Sequence, residues 1–249
     1  MRALVFVCIH WCGGLGDRLS GIINSYIVSK QTNRQFYIHA PTTFDSEIAP
    51  ARGMHWNASL PPECNIGGAI DAVDKPHTKF YAAAHGKAPC VAVRINQDEH
   101  DDQKKKEALS ELFAPLRRPK RNYAALHLRT GGNCAYAGID PGRDTMDDGI
   151  DMLGRLIKLK LEIHIVSDCP LYKTRLASQC TRWQATCFYR AGTSRHIDRQ
   201  KTTRAELFTV WDDFRVLARA SKLEHSRSGF SAVAAMWPLA ADSNSSSTS

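Results

Sequence analysis

Apolar and polar positions change their period several times along this chain, and each change marks an element. Ala3 to Ile9 is an unbroken, β-branched apolar run of strand length, while Leu19, Ile22, Ile23, Tyr26 and Ile27 recur at helical spacing between Arg18 and Lys30. The stretch joining them, HWCGGLGDRLSG, sets Gly13, Gly14 and Gly16 ahead of Asp17 and Arg18. Strand, tight turn and helix start therefore follow one another, and unpaired N–H groups at such a helix start attract an anion. The same glycines serve equally to turn the chain and let a helix pack closely on a sheet. Their spacing lacks the third glycine of the dinucleotide fingerprint and the Gly-Lys-Ser/Thr ending of a P-loop.

Further along, Gln35 to His39 and Cys90 to Ile95 read as strands, separated by a long Pro-, Gly- and Ala-rich stretch from Pro41 to Pro89 without clear period. The charged segment NQDEHDDQKKKEALSELFAPL ends with helical spacing, and its charge blocks read as a solvated helix face. Residues 114 to 122, APLRRPKRN, read as a linker. Beyond it strands and helices alternate regularly: strand 123 to 129, helix 145 to 159, strand 161 to 168, a short helix in PLYKTRLAS, and a strand near RWQATCFYR. A helix over 202 to 220, a strand from Lys222 to His225 and a helix from Gly229 to Trp237 complete the series. This alternation predicts an α/β fold with parallel sheets. The expected organisation is an N-terminal Rossmann-like domain over 1–118, a second over 119–241 and a disordered tail, 242–249.

Composition is ordinary for a globular chain, with 43% hydrophobic and 23% charged residues in 249. A formal charge of +8 favours anionic partners: nucleic acid, an anionic membrane surface or phosphorylated small molecules. The apolar run at the N-terminus is too short to span a membrane and has no signal-peptide cleavage pattern, so no membrane span is expected. The eight cysteines show neither Cys-x-x-Cys pairs nor zinc-type spacing. They predict reduced, buried thiols such as Cys8 and Cys187 and a cytoplasmic location, in which the sequon Asn57-Ala58-Ser59 stays unmodified.

Ligands of parallel sheets bind beyond the C-terminal strand ends, which directs attention to three places. In ALHLRTGGN, His127 and Arg129 share a strand face just before Gly131, and an arginine there can pair with a diphosphate. An ordinary ion pair and a satisfied core histidine are the competing reading. In IHIVSDC, Asp168 stands at a strand end, where it can meet a ligand or cap a helix. In HSRSGFSAVAAMW, Ser228, Gly229, Phe230 and Ser231 open an apolar helix, a second helix-terminal anion site.

GGLGDRLSG, HLRTGGN and SRSGFSAVAA, in this order over nearly the full chain, resemble the fucosyltransferase-like group of GT-B glycosyltransferases, which spans plant cell-wall, O-linked and α1,6 fucosyltransferases. The resemblance implies two Rossmann-like halves facing a cleft, the N-terminal half reduced. It implies a nucleotide-sugar donor, GDP-fucose first, a glycan or glycoprotein acceptor, inverting displacement, and no metal or other cofactor. Arg129, with His127 and Gly131 of the His-x-Arg-x-Gly element, would hold the diphosphate and stabilise the leaving nucleotide. Ser228, Gly229, Phe230 and Ser231 would line the donor phosphates. Gly13, Gly14, Gly16, Asp17 and Arg18 would face sugar and diphosphate. Asp17 is the candidate base, with helix capping as its competing role; Asp168 joins the donor site, and Asp213 approaches the nucleotide base unless it is a surface charge. Gly132 departs from the group's pattern by standing before Asn133, which reshapes that loop. UDP-xylose is the alternative donor, and a non-catalytic nucleotide-, glycan- or RNA-binding module the alternative function. Against nucleic acid, the basic run RAGTSRHIDRQKTTR holds no aromatic on which bases would stack.

Overall fold

A computed structural model of the chain describes residues 2–9, 13–41, 43–44, 48–56, 59–71, 77–94, 100–116, 121–130, 145–191 and 203–239. The chain divides into two compact units, Met1–Leu116 with Met236–Pro238, and Arg117–Ala235 with Leu239–Ser249.

The first unit is built on β1 (Ala3–Val7), whose five residues are all buried. Such a run suits a central parallel strand covered on both faces. It pairs in parallel with β2 (Gln35–His39) and β5 (Cys90–Arg94); β3 (His55–Trp56) and β4 (Ile70–Asp71) extend the sheet to the order β3-β2-β1-β5-β4. Between β1 and β2 runs α1 (Leu15–Gln31), buried nearly all round. It packs with α3 (Asp102–Leu112), and Tyr26 of α1 donates its hydroxyl to Glu111 of α3. Burial first, and then Glu111, push the Tyr26 phenol up to about 12. The stretch expected to be irregular, Pro41 to Pro89, contains β3, β4 and α2 (His77–His85). Strands of two residues leave no period to read, and the short helix follows residues of mixed character.

Arg34, only 5% exposed, organises one corner of this unit through backbone carbonyls. Its Nε donates to the carbonyl of Ala84 at 2.7 Å, Nη1 to those of Ala3 and Ala88 at 3.1 and 2.8 Å, and Nη2 to those of Ala83 and Gly86 at 3.4 and 2.9 Å. Carbonyls at the end of α2 thereby receive a cation, the sign that a helix C-terminus favours.

The second unit has a four-stranded parallel sheet in the order β8-β7-β6-β9, formed by β6 (Arg121–Leu128), β7 (Ile163–Ser167), β8 (Cys187–Tyr189) and β9 (Ala220–His225). Helices α4 (Met146–Ile157) and α5 (Pro170–Arg182) bury one face with Leu126, Leu128, Leu153, Leu156, Ile163 and Leu176. Gly149 of α4 lies so close to the sheet that a Cβ there would stand 2.8 Å from a Leu128 methyl. The helices α6 (Arg204–Arg219) and α7 (Gly229–Met236) follow β8 and β9, and α6 opens on a Thr203/Glu206 capping box.

The cysteines overturn the expectation of reduced thiols. Cys64 is bonded to Cys90 and Cys180 to Cys187, and Cys8 and Cys169 are also disulfide-bonded; Cys12 and Cys134 lie outside the described residues. Partners separated by 26 residues, as Cys64 and Cys90 are, carry no spacing signature, yet the fold brings their Cα atoms to 5.2 Å. Disulfides persist in oxidising compartments, so the ground for a cytoplasmic location falls with the reduced thiols. The sequon's Asn57 and Ala58, the Gly132-Asn133 departure and the tail 242–249 lie outside the described residues.

Candidate functional site

In each unit the sequence motif falls at the strand where the sheet order reverses. β1 is flanked by β2 and β5, and β6 by β7 and β9. Beyond the C-terminal end of such a strand, loops leave toward opposite sides and open a crevice.

At the end of β1 the glycine loop is held by its own neighbours. Gly13 adopts φ +79°, and a Cβ there would collide with the Asp17 side chain, so both conformation and space demand glycine. Asp17, in the first turn of α1, accepts the N–H of Gly14 through Oδ2 at 2.8 Å. Arg18 is 2% exposed; its Nε donates to the Gly13 carbonyl at 3.2 Å and its Nη1 to Thr43 Oγ1 at 3.5 Å. Gly16 is buried within the first turn of α1. Asp17 and Arg18 thus brace the loop from the helix side.

At the end of β6 the polar groups converge more tightly. Arg129 Nη1 donates to Asp168 Oδ2 at 2.7 Å, the Thr130 N–H and hydroxyl donate to Asp168 Oδ1 at 2.8 and 3.0 Å, and the Arg129 N–H donates to Ser226 Oγ at 2.8 Å. The Arg129 side chain keeps 19% of its surface exposed and that of Asp168 only 8%. The helix α5 is capped by Cys169, so Asp168 is not its cap but the anchor of Arg129. A guanidinium carries five N–H donors, and this anchoring contact engages Nη1 alone.

Beneath this cluster lie two further charges. Burial pulls the Lys173 ammonium below its ordinary pKa, opposed by the nearby Asp213 and Asp168 carboxylates. Lys173 and Asp213 are 3% and 8% exposed, which removes the surface-charge reading of Asp213. His127 is buried, with no hydrogen-bond partner for Nδ1 among the described residues, and burial pulls it down to about 3, so it is neutral across the physiological range. Its ring lies 5.5 Å from that of Phe230, which in turn contacts Phe214. Phe230 therefore packs against other rings. Ser231 is fully buried and donates to the Ser228 carbonyl, which also accepts the Ala232 N–H at 3.0 Å as α7 begins; Gly229 is its exposed first residue. Gly131 lies outside the described residues.

The structure thus gathers Arg129, Asp168 and His127 in one region of the second unit. Sequence reading did not single out Thr130, Ser226 or Lys173; a threonine directly after the strand-end arginine was the available signal for the first. Among the described residues, no group of three or more His, Cys, Asp or Glu side chains is placed to hold a metal ion, and no helix is long and apolar enough to cross a membrane.

Two doubly wound α/β units, each with its motif at the switch strand, define the class of architecture. No family model matches the chain, and no curated protein does. Solved structures do. A mutant of Arabidopsis thaliana FUT1 in complex with GDP superposes with a TM-score of 0.58 at 13% identity, over 94% of this chain and 68% of that one. The NodZ α-1,6-fucosyltransferase soaked with GDP-fucose gives 0.57 at 12% identity, over 96% and 93%. Fucosyltransferase NodZ from Bradyrhizobium gives 0.55 at 11%, over 96% and 94%. The fold is fucosyltransferase-like.

Proposed function

We propose that this chain is a glycosyltransferase that holds the diphosphate of a nucleotide sugar, GDP-fucose first, at the end of β6 and transfers the sugar to a glycan hydroxyl with inversion. The observation that carries the proposal is Arg129: a strand-end guanidinium fixed by Asp168 at one nitrogen, with donors to spare. Likeness of fold to structures complexed with GDP or soaked with GDP-fucose supports the choice of donor.

As the acceptor oxygen attacks the anomeric carbon, the bond to the diphosphate breaks and negative charge grows on the leaving phosphate. Preorganised donors aimed at that charge act without reorganisation cost during reaction. Arg129 supplies them; Asp168 orients its guanidinium before the donor arrives, and Ser226 Oγ fixes the backbone beneath it by accepting the Arg129 N–H. The start of α7, entered through Ser228 and Gly229, adds its positive end. Neutral His127 and Phe230 form the packed support under the strand end, and the Lys173/Asp213 pair underlies Asp168. Asp17 braces its loop through Oδ2 and keeps its other carboxylate oxygen to take up the proton that the acceptor hydroxyl loses as it attacks. The disulfides support an oxidising compartment for this activity.

Calorimetry with GDP, UDP, GDP-fucose and UDP-xylose, with and without manganese, on the native chain and on Arg129→Ala tests the proposal. Selective binding of guanine nucleotides, weakened about 10- to 100-fold by the substitution as the loss of a charge-assisted contact implies, is the expected result. Failure of every nucleotide to bind overturns it.

A further inference from the structure

The sheet of the second unit carries a second feature at its opposite end. Arg121, Asn122 and Tyr123 open β6, Glu162 precedes β7, His164 lies in β7 and Phe188 in β8; together they line a groove of about 340 Å³. Arg121 stands eight positions before Arg129 along β6, about 26 Å at the usual rise, and His164 four positions before Asp168 along β7, about 13 Å, so the groove is separate from the proposed donor site.

Three rings form its floor and wall. Tyr123 and His164 have centroids 4.3 Å apart, and His164 and Phe188 5.3 Å, a continuous ladder across three adjacent strands. The Tyr123 hydroxyl is fixed, donating to the Val216 carbonyl of α6 at 2.7 Å. Phe188, by contrast, is 46% exposed. Burial holds His164 below its ordinary pKa; Glu162 opposes that shift and Arg121 reinforces it, so the ring is uncharged at neutral pH. At the rim stand a guanidinium, a carboxylate and a carboxamide. Among the described residues, neither Arg121 nor Glu162 has a side-chain hydrogen bond or ion pair.

Flat apolar ring faces bordered by strong donors and strong acceptors suit one kind of ligand best. A sugar ring offers an apolar C–H face to stack and hydroxyls around its edge that both donate and accept. A lipid or an apolar peptide would leave the charged rim desolvated, and a nucleotide phosphate would meet Glu162. The volume lies within the range of small-molecule sites, whereas a protein surface would need far more area. We infer that this groove is a carbohydrate-binding site, in which a neutral saccharide stacks on Phe188 and His164 and hydrogen-bonds Arg121, Asn122 and Glu162. The preference for a saccharide rests partly on the transferase reading, since an enzyme extending a glycan gains from a second hold on it.

The test is an NMR titration of the full chain with neutral β-linked tetrasaccharides of glucose and of N-acetylglucosamine, with GMP as the planar competitor. Each is repeated with GDP present. The expected result is a shift centred on the His164 ring with at least one tetrasaccharide, weakened roughly tenfold by Phe188→Ala or by Arg121→Ala, the scale of one aromatic or charged contact. Arg129→Ala leaves this binding unchanged. Both substituted side chains are at the surface, so the fold survives their loss. No shift with either tetrasaccharide, equal affinity in both variants, or a stronger response to GMP overturns the inference. Saccharide binding without any GDP binding refutes the donor site alone, and GDP binding without saccharide binding refutes the groove alone.

Discussion

Replacing Asp168 by asparagine isolates what holds Arg129. The amide keeps one oxygen for the Thr130 N–H and hydroxyl, while an NH₂ group replaces Oδ2 and faces Arg129 Nη1, formerly 2.7 Å from its acceptor. Breaking a buried ion pair from one side costs about 3–5 kcal/mol, because the remaining charge keeps its desolvation penalty. Here water reaches the exposed 19% of Arg129 and two hydrogen bonds survive, which brings the expected loss to roughly 2–3 kcal/mol. Lys173, buried and partly compensated by Asp168, adds to the loss. Urea unfolding reads it as a lower midpoint with an unchanged slope. In the same variant GDP affinity falls more than about tenfold, since the guanidinium must be ordered during binding. A stability change under about 0.5 kcal/mol together with unaltered GDP affinity would refute Asp168 as the positioning residue.

Acid should weaken the native state through His127. Its folded pKa, about 3, lies below the unfolded 6.5, so between these values the unfolded chain binds a proton that the native chain refuses, and stability falls as pH falls. From pH 7.5 to 5.5 this amounts to about 1.4 kcal/mol, read by urea unfolding, and His127→Asn should remove it; an unchanged pH slope in that variant contradicts the assignment. The Cys64–Cys90 bond closes a loop with a sequence separation of 26. Replacing both cysteines by serine should cost about 3.5 kcal/mol on the chain-entropy account, and an equally stable variant would show that the bond does not constrain the unfolded chain.

Strong periodicity made the second unit legible: its alternating strands and helices stand within a few residues of where the pattern puts them. Arg129 and the β1 glycine loop were legible for a related reason, since a buried parallel strand announces its own end. The middle of the first unit was not, because two-residue strands derive their order from their neighbours. The disulfides were missed because their partners meet only through the fold. The division of labour at the site was hidden as well. Asp168 as anchor and Ser226 as acceptor depend on β7 and β9 lying either side of β6, a fact of sheet order that no local pattern carries.

Arg34 bears on how the first unit assembles. The carbonyls at the end of α2 take their cation from a residue 49 and 50 positions earlier in the chain, which also ties down the start of β1. A nine-residue helix is too short to persist alone in water. Its C-terminus is completed by a residue that also bonds β1, so the last turn of α2 depends on the strands being in place, and amide-exchange protection in α2 is expected to track that of the strand pair.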